Sequence, residues 1–227
     1  PDRVRELLPE VFKQLVSPKS QVREGFMGLF VHMPEAFGKS FSVFLIEVFP
    51  HVLNGFDDEI GPVREVSVEA GQALTLNFAK SHTELLLPAL NKGLGSGSWR
   101  IRQSCVQLLG TLLLTLAEAT GRLFGMSDIG EEESKDAAGA ATKKQEKVIE
   151  TALGVERRNE VLAGIYLIRS DIMPSVRQMS WRVWKAIVQN TPRMLGIILP
   201  TLMGKIIYDL ASESDERRQT AGHALGD

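Results

Sequence analysis

A small aliphatic residue followed by arginine recurs along this chain, as Val22-Arg23, Val63-Arg64, Ile101-Arg102 and Val176-Arg177. The first three arginines are 41 and 38 residues apart, and each follows a proline (Pro9, Pro50, Pro88) by 14 residues. Every one of those prolines closes an apolar cluster, and Ile198-Leu199-Pro200 stands in the same relation to Arg217-Arg218 across a slightly longer gap. A period near 40 residues that holds two amphipathic helices predicts an all-α solenoid of the HEAT type, with about five helix pairs. One pair alone cannot bury its apolar face, and stacking completes the core.

The period of the helices themselves shows between Val16 and Met33, where Val22, Phe26, Leu29 and Met33 recur at spacings of four, three and four. Gln103, Gln107, Gln178 and Arg182 mark polar faces of later helices, and no stretch alternates with period two. Six residues before each repeated arginine stands Ser17, Asp58, Ser96, Asp171 or, ahead of Arg218, Ser212. Such side chains suit a turn that receives the arginine of the same or a neighbouring repeat. A rung present in every unit serves the stack, so Arg23, Arg64, Arg102 and Arg177 read as structural. Leu109-Gly110 and Leu225-Gly226 read as places where helices approach closely.

Arg102 and Arg177 are 75 residues apart, nearly two periods, yet amphipathic sequence fills only one. From Met126 to Lys147 the chain carries alanines among charges and glycines, too little to bury, which predicts a flexible insertion. The expected layout is therefore about three HEAT repeats over 1–125, the insertion at 126–147, and about two repeats over 148–227, the last one truncated. The first residues lack the apolar region of a signal peptide and read as a cut inside a longer chain. No apolar run reaches the ~18–20 residues of a membrane span. A single cysteine, Cys105, excludes an internal disulfide, and together these features suggest a cytoplasmic protein without a membrane partner.

Chemistry that converges is missing. His32, His51, His82 and His223 fall in different repeats without a second ligand three or four residues away, so no metal site is expected. Gly38-Lys39-Ser40 resembles the end of a phosphate-binding loop, but Met33 stands where its first glycine belongs. Gly93-Leu94-Gly95-Ser96-Gly97 reads as a turn between two helices, and Cys105 as a small buried hydrophobe. The expectation is a non-enzymatic chain with no cofactor and no small-molecule substrate.

Charge is uneven. Arg157, Arg158, Arg169, Arg177, Arg182, Lys185, Arg193 and Lys205 face only Glu160 and Asp171 within their stretch, a local +6 in a chain of net −2. With Arg177 assigned to the rung, the predicted partner-binding residues are Arg157, Arg158, Arg169, Arg182, Lys185 and Arg193. Trp181 and Trp184 on the same helix add rigid aromatic area wherever they are exposed. A phosphate-contacting surface for RNA and a plain structural spacer are the alternatives from other classes.

Three strings carry a family resemblance. They are Ala152 to Asn159 with Val161 to Gly164, Ser175 to Leu202 including Asn190-Thr191-Pro192-Arg193, and Trp99 to Gly110. They resemble the C-terminal HEAT region of the general-control translational activator family over roughly Leu85 to Asp227, whereas residues 1–84 share only the repeat pattern. The resemblance implies binding to the RWD domain of the kinase that phosphorylates initiation factor two, promoting kinase activation during amino-acid starvation. It also implies ribosome association through the full-length protein.

Overall fold

The computed structural model describes residues 2–118 and 145–226. These residues contain helices and no strand. In order they are α1 (Asp2–Gln14), α2 (Ser20–Phe37), a 3-10 segment (Gly38–Phe44), α3 (Leu45–Gly55), α4 (Gly61–Phe78), α5 (Thr83–Gly93) and α6 (Trp99–Leu116). There follow α7, described over 145–153, and α8 (Val155–Ile168), α9 (Pro174–Ile187), α10 (Thr191–Leu210) and α11 (Asp215–Gly226). The pairs α1–α2, α3–α4, α5–α6, α8–α9 and α10–α11 are the five helix pairs of an all-α HEAT solenoid. Of the insertion read at 126–147, residues 126–144 lie outside the described residues, while 145–147 lie in α7 with Gln145 buried.

Two compact units make up the chain, Pro1–Leu90 and Asn91–Asp227. In the first, α2 and α3 pack on α4 around Phe30, Phe41, Phe49, Phe56 and Leu74. In the second, α6 packs on α9, α8 on α10, and α10 on α11. The helical run Ser20–Gly55 is long and apolar enough to cross a membrane by length and composition alone. Met27, Phe30, Phe41, Phe44, Leu45, Val48, Phe49 and Val52 of that run are buried, so it serves as the core of the first unit.

The repeated arginine occupies the fourth position of α2, α4, α6, α9 and α11. Each one donates from Nη1 to the carbonyl six residues back, at 2.8 Å (Arg23 to Ser17), 2.6 Å (Arg64 to Asp58), 2.8 Å (Arg102 to Ser96), 2.6 Å (Arg177 to Asp171) and 2.6 Å (Arg218 to Ser212). The side chain at that turn position in every case accepts the backbone N–H two residues on. Where the turn residue is an aspartate, the arginine of the preceding repeat grips it with two hydrogen bonds. Arg23 holds Asp58 at 2.7 and 2.8 Å, and Arg102 holds Asp171 at 2.7 and 3.1 Å. Each unit therefore contains one such clamp.

Glycine has two distinct uses in these turns. A Cβ at Gly93 would stand 3.2 Å from the Cβ of Cys105 and closer still to its Sγ, so the end of α5 meets α6 without a side chain between them. Gly38, at φ 52°, ends α2 in the left-handed region, which accounts for the glycine of Gly38-Lys39-Ser40 without a phosphate. Gly226 meets nothing within 4 Å, so the close approach expected at Leu225-Gly226 is not made.

Two outcomes follow from this framework. Hydrogen bonding from Arg23 holds the Asp58 carboxyl below the usual carboxylate range, against the opposing effect of burial. A depressed folded value means that the stabilisation is present above the unfolded value of about 3.9 and is lost as pH falls through the folded one. Asp58→Asn should cost roughly 2–4 kcal/mol at neutral pH, and chemical denaturation at decreasing pH below 4 should show the native and variant chains converging. Gly93→Ala should cost about 1–3 kcal/mol through overpacking against Cys105, measured in the same way.

Candidate partner-binding surface

Gly154, at φ 78°, separates α7 from α8 in a conformation that other residues rarely adopt. From there α8 is buried on most of its circumference, through Val161, Leu162, Ala163, Ile165, Leu167 and Ile168. Proline at the first position starts α9, and its buried stripe is Val176, Ser180, Val183, Trp184 and Ile187. The opposite face leaves Gln178, Trp181, Arg182 and Lys185 exposed. The helical period thus sends the two tryptophans different ways. Trp184 is 1% exposed and donates its Nε1–H to Thr191 Oγ1 at 3.0 Å, whereas Trp181 is 45% exposed.

Arg169, at the end of α8, lies over aromatic rings. Its guanidinium carbon is 3.8 Å from the Trp181 ring centre, 4.4 Å from that of Tyr166 and 5.7 Å from that of Trp184. Tyr166 and Trp184 meet edge to face at 5.0 Å. Lys185 Nζ stands 5.4 Å from the centre of Trp181. The result is a ridge of Arg169, Trp181, Arg182 and Lys185 across the end of α8 and the outer face of α9. Cation–π contacts of this kind hold a long cationic side chain in one place; here they hold Arg169, which is half-buried, and Lys185, which is exposed.

The remaining predicted residues take other positions. Arg158 is 6% exposed, and its guanidinium meets Glu150 on α7 and Asn159 at 2.7 Å. It joins α7 to α8, and the expectation that it faces a partner is corrected. Arg157, exposed in the first turn of α8, lies twelve residues before Arg169, which is roughly 18 Å along a helix. Arg193, in the first turn of α10, stands 3.7 Å from Glu146. Arg177 donates to the carbonyls of Asp171 and Ile172, which is the rung role expected of it. Sequence reasoning missed Tyr166, although its place three residues before Arg169 on a helix is the spacing that lets two side chains meet.

Among the described residues no group of three or more His, Cys, Asp or Glu could hold a metal. Phe12 stacks on His51 at 4.2 Å, and burial lowers the pKa of that imidazole. Burial also pushes the Cys105 thiol up to about 12.

Helix pairs with an arginine rung at the start of each second helix, buried at Arg23 and Arg102, and a cationic aromatic ridge on one pair define a repeat-protein scaffold. The chain belongs to the family described as the EF3 N-terminal HEAT repeat, which matches residues 2–123. It is 40% identical over 225 residues to a Dictyostelium discoideum protein named eIF-2-alpha kinase activator GCN1, covering 99% of this chain and 8% of that one. It is also 40% identical over 228 residues to the Homo sapiens protein named Stalled ribosome sensor GCN1, covering 100% and 8%. Protein ILITYHIA of Arabidopsis thaliana is 41% identical over 226 residues, again covering 100% and 8%. The chain thus spans about a twelfth of the length of these relatives. Two expectations change. The likeness extends through residues 1–84, and the matched family is described as an N-terminal HEAT repeat rather than a C-terminal region.

Two pairs of variants separate surface from scaffold. Trp184→Ala should destabilise by about 3–5 kcal/mol, and Trp181→Ala by less than about 1 kcal/mol. Arg158→Glu should destabilise by roughly 3–5 kcal/mol, because it places a carboxylate against Glu150 in a buried site, while Arg182→Glu should stay within about 0.5 kcal/mol. Thermal and denaturant unfolding followed by circular dichroism measures all four.

Proposed function

We propose that this chain is a non-enzymatic, cytoplasmic scaffold segment of translation control. It binds the RWD domain of the kinase that phosphorylates initiation factor two and promotes kinase activation on ribosomes during amino-acid starvation. One observation carries the reading: Trp181 is half exposed with Arg169, Arg182 and Lys185 around it. Exposed tryptophan and arginine are the residue types that dominate binding energy at interfaces, and guanidinium groups grip carboxylates with two parallel bonds. The ridge suits an acidic partner surface with an apolar centre. The names of the relatives, a kinase activator and a ribosome sensor, support the same reading. Arg157 and Arg193 serve as rim residues, and Arg158 as internal support.

A second reading is contact with ribosomal RNA, favoured by the exposed Trp181 ring, on which a base can stack beside cations. The two readings differ in chemistry. Grip on carboxylates depends on guanidinium geometry, so Arg182→Lys weakens it. Phosphate contact tolerates that change and falls steeply with salt. Titration of the RWD domain should show Trp181→Ala losing about 2 kcal/mol or more, and Arg182→Glu losing roughly 2–5 kcal/mol where the pair is desolvated. Full-strength binding by a folded Arg182→Glu, Lys185→Glu chain overturns the proposal. Lost ribosome association with intact RWD binding favours RNA.

A further inference from the structure

Between Glu160 and Asp209 the sequence contains a single carboxylate, Asp171. It lies two residues from Arg169, in the turn that connects α8 to α9 and so adjoins the ridge. An aspartate so placed is poised to neutralise the cations around it, yet it is 1% exposed and turned away. Arg102 on α6 grips both of its oxygens, at 2.7 and 3.1 Å, and Asp171 also accepts the Met173 N–H at 2.8 Å. Arg102 is itself fully engaged, with Nη1 donating to the Ser96 carbonyl at 2.8 Å and standing 2.8 Å from Glu216 on α11.

We infer that Arg102 is a specificity-determining residue for the ridge: by holding Asp171, it keeps the one carboxylate of the turn between α8 and α9 away from Arg169, Arg182 and Lys185. The inference rests on the ridge being the partner surface. Its content is electrostatic and goes beyond the structural role that every rung arginine shares. A rung that only braces the turn is weakened by loss of either partner and weakened further by loss of both. A rung that sequesters a charge fails when Arg102 is lost, tolerates loss of Asp171, and recovers when both are replaced, because the turn beside the ridge then holds no carboxylate to release. The burial of Asp171, the bidentate grip and the absence of any other acid in α9 all favour the second behaviour.

Four chains decide the matter: native, Arg102→Gln, Asp171→Asn and the double variant, each checked for helix content. The RWD domain is titrated against all four, with Arg182→Glu alongside. Independently of any partner, iodide and acrylamide quenching of Trp181, taken as the difference from the same chain carrying Trp181→Phe, reports the local potential. Arg102→Gln should lower affinity about tenfold and the iodide-to-acrylamide ratio about twofold. Asp171→Asn should keep both, and the double variant should return both to within about twofold of native. Loss of affinity and of iodide quenching in a folded Asp171→Asn chain, or no recovery in the double variant, overturns the inference. If Arg102→Gln fails to fold, those two remaining variants still decide it. If Arg182→Glu binds at full strength, the ridge is not the partner surface, and the iodide arm alone settles whether Arg102 sequesters Asp171.

Discussion

A guanidinium at the fourth position of each second helix organises this molecule. Burying a charged group costs several kcal/mol unless its donors are satisfied, and Arg23 and Arg102, the two buried members of the rung, are satisfied in the same way. One partner is the carbonyl six residues back, which fixes the arginine to its own turn. The second, where the next turn carries an aspartate, is a carboxylate, which ties one repeat to another. Apolar stacking supplies most of the stabilisation of a solenoid but is tolerant of sliding. A bidentate ion pair with fixed geometry sets register.

That arrangement has a consequence for the surface. In the pair α8–α9 the rung pulls the local carboxylate inward, while the end of α8 turns Arg169 onto Tyr166 and Trp181. The cations thus differ in their surroundings: Arg102 and Arg158 meet carboxylates inside the fold, Arg169 lies half-buried over aromatic faces, and Lys185 lies over Trp181 at the surface. Charge counting along the chain treats all of these alike. Only the environment of each guanidinium separates a brace from a contact.

A fold does not by itself fix a function, and one repeat architecture can carry many roles. Membership in a HEAT family therefore says how the chain folds, and the relatives' names say in which process to look.

The linear spacing of arginine, proline and the turn residues by itself determined the all-α repeat, the five pairs and the rung, because a periodic structure writes its constraint once per period. The turn role of Ser17, Asp58, Ser96, Asp171 and Ser212 was legible for the same reason. The candidate site was legible only in part: a cationic segment can be counted, but burial cannot. Arg158 and Arg182 are both arginines on helices of that segment, and Trp181 and Trp184 are three residues apart on one. Which of each pair faces solvent depends on where α6, α7 and α10 lie against them, and so on contacts with residues distant along the chain, such as Asp171 with Arg102 across 69 positions. Tertiary structure decided that, because exposure belongs to a side chain's neighbours in space, which sequence order does not specify.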